Sequence, residues 1–284
     1  MSEPVGPAVR TYVLSMELVR GLESWAKRHG DVVNTRRFGP TCMTMAIVAP
    51  WAPSHSLELV ARQAALLWAV DDALEDSSSE AEFTATLADI CSAITGHLPR
   101  AQTALTAALT ELRTDLAAFP LFAELGQPWT DAMTSGISAG LDEWRIARDM
   151  ANGGPPPSIE EYLRIGGRSI LKTAMQLAML IVTEQESLAE HWDRLAPAVQ
   201  EANIAVRLVN DYASYEREIA TGDLNIRMLG VSKEQLRHDI HASVDRFRAH
   251  LAPFLAPEPL RAAVTLDRYL TAPVEFYLRT DYLS

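Results

Sequence analysis

The chain has 284 residues, 48% of them hydrophobic, and a formal net charge of -12. That length buries a sizeable core, and the composition rules out disorder, collagen-like repeats and low complexity. The acidic balance argues against broad binding to nucleic acid or to an anionic membrane surface, so an anionic ligand would need local cations of its own.

The start, Met1-Ser2-Glu3-Pro4, lacks the basic and apolar regions of a signal peptide. No run of about 18 apolar residues escapes a charge or a proline, so the sequence predicts a cytoplasmic protein without a membrane span. Cys42 and Cys91 are too few and too unpatterned for a disulfide framework or a structural zinc site, and they read as small buried hydrophobes.

Apolar residues recur at helical spacing, as at Leu57, Val60, Ala64, Leu67 and Trp68, and no stretch sustains strand alternation. Turn chemistry interrupts the pattern at Pro50 to Pro53, at Gly153-Gly154-Pro155-Pro156-Pro157, and around Pro253, Pro257 and Pro259. Ser158 with Glu161 and Ser232 with Gln235 have the spacing of capping boxes, while Gly222 follows a helical run as a C-terminal stop. With no repeat at a solenoid period and no linker, the expectation is one all-α domain over residues 1–284, a closed helical bundle.

The first chemically informative stretch is apolar Ala64 to Val70 running into Asp71-Asp72-Ala73-Leu74-Glu75-Asp76. On a helix, Asp71 converges with Glu75, and Asp72 with Asp76. Like charges at this spacing, placed at a helix C-terminus, oppose both side-chain pairing and the macrodipole. A bound cation would resolve the conflict, and carboxylates without His or Cys suit a hard ion such as Mg2+. A solvated acidic end entering the Ser77-Ser78-Ser79 loop is the other reading.

The second stretch is Arg207-Leu208-Val209-Asn210-Asp211-Tyr212-Ala213-Ser214-Tyr215-Glu216-Arg217-Glu218. Asn210, Ser214 and Glu218 follow one another at intervals of four, which makes a stripe of amide, hydroxyl and carboxylate down one helix face. Each can offer oxygen to a metal, whereas Asn and Ser are mediocre helix residues otherwise.

Together the two stretches resemble the paired motifs of bacterial class I terpene synthases. Asp71-Asp72-x-x-Glu75 is similar to the family's Asp-Asp-x-x-Asp/Glu run, and Asn210-Asp211-x-x-Ser214-x-x-x-Glu218 to its Asn-Asp-x-x-Ser-x-x-x-Glu motif. The resemblance implies the class I terpenoid synthase fold and three Mg2+ ions held against a prenyl diphosphate. Asp71, Asp72, Glu75, Asn210, Ser214 and Glu218 would be the metal-site residues, with Asp72 and Asp211 ranked lower as direct ligands.

Diphosphate also calls for Arg or Lys donors. By resemblance, Arg164, which lies 46 residues before Asn210, senses the diphosphate, and Arg217 stands just before the final Glu218. Gly166-Gly167 sits where the family's helix break presents carbonyl groups, but the usual acidic residue between sensor and break is missing and Arg168 stands nearby. Arg279 and Tyr282 are candidate substitutes for the Arg-Tyr pair that many bacterial members carry near the C-terminus, though not at its spacing.

The resemblance leans towards compact diterpene synthases acting on geranylgeranyl or copalyl diphosphate. The alternatives are a sesquiterpene synthase acting on farnesyl diphosphate, a chain-elongating prenyltransferase and a non-catalytic helical scaffold. A homodimer stays open.

Overall fold

The computed structural model describes residues 6–184 and 187–279, and every regular element among the described residues is helical. This agrees with the all-α expectation. Contacts divide the chain into two compact units, one formed mainly by Met1–Gly126 and Leu177–Ser187, the other by Gln127–Gln176 and Leu188–Tyr282.

In the first unit α1 (Pro7–His29) packs on α2 (Phe38–Val48) and α3 (Ser54–Glu75), while α5 (Ala104–Ala117) meets both α3 and α4 (Glu80–Thr95). Leu18, Leu22 and Trp25 of α1, Leu57 and Leu66 of α3, and Leu109 of α5 are buried. The loop predicted at Pro50 to Pro53 separates α2 from α3. One charged cluster lies inside this unit: Arg62 Nε is 3.1 Å from Glu58 Oε1, Arg62 Nη1 is 3.2 Å from Asp115 Oδ2, and the guanidinium lies over the Trp25 ring. Burial pushes the Cys42 thiol up to about 12, which fits an inert core residue.

The remaining helices are α6 (Phe122–Ala151), α7 (Ile159–Ser169), α8 (Lys172–Thr183), α9 (Ala189–Thr221), α10 (Lys233–Leu251) and α11 (Arg261–Tyr277). The axis of the second unit is α9, 33 residues and therefore about 50 Å long. Helices α7, α10 and α11 pack against it. Its apolar positions Leu195, Val199, Leu208 and Val209 are buried, as are Leu236, Ile240 and Phe247 of α10 and Leu266 and Leu270 of α11.

Ser158 and Ser232 cap α7 and α10 by accepting from the Glu161 and Gln235 amides, each at 3.1 Å. The Gln235 side chain turns instead to Asp239. Gly222 ends α9 in the left-handed conformation, φ 83°, where a Cβ would be strained.

The break between α7 and α8 is displaced from its sequence-based position. Helix α7 runs through Gly166 and Gly167, and the chain breaks at Leu171, φ 53°. Leucine has no preference for that conformation, so tertiary contacts impose it. Asn203 of α9 accepts from the Thr173 amide at 3.0 Å, which caps α8 from outside, and Lys172 Nζ donates to the Tyr269 carbonyl at 2.6 Å. That carbonyl lacks the usual i+4 amide because Pro273 has no N–H.

The glycines serve a different local need. A Cβ on Gly166 would lie 3.0 Å from Arg207 Nε, and one on Gly167 would lie 3.0 Å from Ile204 Cδ1, so both admit α9 at close range. The stretch Ile159–Thr183 is long and apolar enough to cross a membrane by composition, yet 72% of its most apolar window is buried, as in a core helix of a soluble protein.

Candidate metal and diphosphate site

The two acidic or polar motifs occupy different environments, one in each unit. Asp71, Asp72 and Glu75 form the last turn of α3, with Asp76 as its C-cap, and all four are exposed. No basic residue occupies that turn, so the carboxylates stand at the negative end of the helix dipole, as the sequence implies. Downstream, the Ser78 amide and hydroxyl donate to Glu82 Oε2 at 2.9 and 2.7 Å, which orders the loop into α4. The same bonds lower the Glu82 carboxyl below its ordinary value.

Asn210, Ser214 and Glu218 lie on successive turns of α9. Ser214 and Glu218 are buried and Asn210 is half-buried. Ser214 Oγ donates to the Asn210 carbonyl at 2.7 Å, so its hydrogen is directed into the helix and its oxygen lone pairs remain for an acceptor role. Glu218 Oε2 accepts from Asn225 Nδ2 at 2.7 Å, whereas Arg217 Nη2 stands 3.8 Å from Glu218 Oε1, too far for a hydrogen bond.

Asp211, beside this stripe, is itself buried and lies in a network of polar side chains. Tyr162 of α7 donates its hydroxyl hydrogen to Asp211 Oδ2 at 2.5 Å, and the Ile226 amide reaches the same oxygen at 3.3 Å. Arg207 Nε donates to the Tyr162 hydroxyl at 2.8 Å and stands 3.0 Å from Asp211 Oδ1. Its Nη1 is 2.9 Å from Glu143 Oε1 of α6, and its Nη2 donates to the Leu224 carbonyl at 3.0 Å.

Burial, the largest influence, pushes the Asp211 carboxyl up to about 7, against the pull of Arg207 and the Tyr162 hydrogen bond. Desolvation works against the Arg207 charge, but Asp211 and Glu143 raise its pKa well above the ordinary value. Burial likewise raises the Tyr162 phenol, so it remains a proton donor. The network is structural in geometry: it joins α6, α7 and α9.

The other sequence candidates are dispersed. Arg164 is exposed on α7, which packs on α9, and Arg168 beside it contacts Asp142 at 3.6 Å. Arg217 is half-buried on α9. Arg279 follows α11 and pairs with Glu275 through both its carboxylate and its carbonyl. Tyr282 lies outside the described residues.

Residues 63–252 match the family described as terpene synthase family 2, C-terminal metal binding. The chain belongs to this family. It is a terpene synthase, a lyase acting on prenyl diphosphates. It is 25% identical over 280 residues to ent-pimara-9(11),15-diene synthase of Streptomyces sp. (strain KO-3988), covering 95% of this chain and 92% of that one.

Solved structures show the same fold. Linalool/nerolidol synthase from Streptomyces clavuligerus matches with a TM-score of 0.69 at 17% identity, over 92% of this chain and 94% of that one. Germacradien-4-ol synthase from Streptomyces citricolor matches with a TM-score of 0.71 at 16% identity, over 94% of each chain.

The donor chemistry of this terpene synthase fits a hard divalent ion. The stripe presents an amide, a hydroxyl and a carboxylate, all oxygen donors, and the α3 terminus presents only carboxylates. Among the described residues no group of three or more His, Cys, Asp or Glu side chains is gathered as a metal centre. The α9 set falls outside such a grouping because only one of its three donors is acidic.

Sequence reasoning left Tyr162, Glu143 and Asn225 out of the site. The signal available for Asn225 was the Gly222 stop, which reverses the chain directly after the motif. Nothing local pointed to Glu143 or Tyr162, which belong to other helices.

Proposed function

We propose that this terpene synthase uses Mg2+ to ionise a C20 prenyl diphosphate, geranylgeranyl or copalyl diphosphate, and cyclises the carbocation to a diterpene. The oxygen-donor stripe of Asn210, Ser214 and Glu218 carries the metal part of the reading. The C20 part is supported by the similarity to a pimaradiene synthase along nearly its whole length.

Bound Mg2+ supplies Lewis acidity to the leaving diphosphate. Asp71, Asp72 and Glu75 of α3 and Asn210, Ser214 and Glu218 of α9 would supply metal ligands, with Asp72 more peripheral than Asp71. Arg164 and Arg217 donate to diphosphate oxygens as the allylic C–O bond breaks and charge develops there. Arg279 and Tyr282 assist from the C-terminal segment. Gly166 and Gly167 act through the approach of α7 to α9, which the absence of a Cβ allows. Three ions, a cytoplasmic location and service of one reaction by residues 1–284 belong to the same proposal.

The test is incubation of purified protein and Mg2+ with farnesyl, geranylgeranyl and copalyl diphosphates in separate reactions, followed by mass spectrometry of the organic extract. A C20 hydrocarbon or alcohol from one of the two larger substrates is expected. Turnover of farnesyl diphosphate alone would move the enzyme to sesquiterpene synthesis, and a requirement for added isopentenyl diphosphate would identify chain elongation.

A further inference from the structure

We propose that Asn225 is a positioning residue of the metal site, whose side-chain amide fixes the Glu218 carboxylate in the orientation that receives the ion. This rests on the reading of Glu218 as a metal ligand. The argument begins with the chain reversal after α9. The Gly222 and Asp223 amides both donate to the Glu218 carbonyl, at 2.9 and 3.0 Å, so the helix stops and the chain turns back within one residue. The left-handed glycine makes that turn, and it returns Asn225 to the side of α9.

There the Asn225 side chain is completely buried and uses both faces of its amide. Nδ2 donates to Glu218 Oε2 at 2.7 Å and to the Asp211 carbonyl at 2.9 Å, while Oδ1 accepts from the Arg227 amide at 3.0 Å. One amide therefore links two residues of α9 that are seven apart, on one helix face, with one oxygen of the Glu218 carboxylate fixed as acceptor. At the other oxygen, Oε1, the Arg217 guanidinium stands 3.8 Å away, beyond hydrogen-bond range.

The type of donor matters. A lysine or arginine at this distance would orient Glu218 equally well but would neutralise it and compete with a divalent cation. An amide orients without adding charge, so the carboxylate keeps its full attraction for the ion. The buried Arg207 is engaged by Asp211, Glu143 and Tyr162 instead, so the strong cation next to the motif is held away from its ligand carboxylate.

A purely structural role would be the cap of the 3-10 turn Ile226–Leu229, which Asn225 also provides. That cap requires only Oδ1, and the two bonds from Nδ2 are additional. Asn225→Ser separates the roles, because serine retains a capping oxygen but is too short to hold Glu218; Asn225→Ala removes both.

Two readouts are needed: the Mg2+ concentration for half-maximal turnover, and the rise in melting temperature produced by Mg2+ with inorganic diphosphate, which does not depend on activity. Both variants are expected to need roughly 10–100-fold more Mg2+ on each readout, the range for loss of a residue that orients a metal ligand, with kcat largely recovered at saturating Mg2+.

An unchanged Mg2+ requirement in a folded variant, with only stability or kcat reduced, would overturn the proposal. Loss of the fold in both variants would assign Asn225 to the scaffold and overturn it too. Glu218→Gln is the control. If it abolishes the Mg2+ response while the Asn225 variants keep theirs, this inference alone fails; if it leaves the response intact, the ligand reading fails with it.

Discussion

The end of α3 and the C-terminal part of α9 carry comparable numbers of oxygen donors, but the fold treats them in opposite ways. On α9 the motif is braced: Ser214 bonds into its own helix, Asn225 holds Glu218, and Asp211 is fixed by Tyr162 and Ile226 beside a buried arginine. On α3 the carboxylates are exposed, gathered at a helix end where the dipole disfavours them, and no basic residue shares their turn. A buried polar group requires partners before any ligand arrives, whereas an exposed one has water. Ser214 and Glu218 are therefore held by protein partners, whereas the α3 carboxylates stand exposed to water.

Breaking the α9 motif should produce the largest effects. Glu218→Ala or Asn210→Ala is expected to reduce turnover by more than roughly 100-fold, beyond the range typical of residues that only orient a ligand. Steady-state kinetics at saturating Mg2+ reads this directly. Retention of near-normal turnover in both variants would remove the stripe from the metal site.

Next comes Arg207→Met, which removes the guanidinium from the buried Asp211 and the half-buried Glu143. It should destabilise the protein by about 3–5 kcal/mol in urea unfolding. An equivalent loss on neutralising Asp72 would erase the contrast between the two motifs.

How much of this was legible in the sequence depended on whether the interaction is local. The α9 stripe was legible because Asn210, Ser214 and Glu218 belong to one helix, whose period fixes their alignment. The α3 terminus was legible for the same reason, and Gly222 announced the end of α9. The bracing was not legible, because Tyr162, Glu143 and Arg207 come from three helices and meet only through packing.

The α7–α8 break shows the converse error. Two glycines suggested a break at their own position, but they serve the approach of Arg207 and Ile204, while a leucine adopts the left-handed turn under constraint from Asn203 and Lys172. The Lys172 contact was concealed because its origin, the amide missing at Pro273, is about a hundred residues away.

Lys172 sharpens the comparison from outside both motifs, since its buried ammonium donates to a neutral group, the Tyr269 carbonyl. Burial lowers its ammonium to about 7. The unfolded chain, with an ordinary lysine near 10.4, binds more protons than the native state between these values. Stability should therefore rise with pH from about 7 to about 10, by at most about 1.4 kcal/mol per pH unit from this group. Lys172→Met should lack that contribution, so the pH dependence of the difference between the two proteins, measured by urea unfolding at constant ionic strength, isolates it. A difference that stays flat across the interval would mean that the native site holds Lys172 charged, with its ammonium favoured by the Tyr269 carbonyl and the Tyr269 ring beneath it.

The smallest effect tests the exposed motif. Asp72 and Asp76 are four residues apart at the end of α3, both exposed, and Asp72→Asn removes one charge of this pair and of the unfavourable interaction with the helix dipole. Without metal the variant should be more stable than the parent by roughly 0.2–0.5 kcal/mol, the usual size of a like-charge pair on a helix surface. In about 1 M salt the gain should nearly vanish, because a Debye length near 3 Å screens exposed charges at that spacing. With Mg2+ and diphosphate present the order should reverse, because the parent then gains more by ligand binding than the variant does. Melting curves in these three conditions decide the matter. A variant less stable than the parent before any metal is added would show that protein groups already compensate the α3 carboxylates, and the motif would then be organised in advance, like its counterpart on α9.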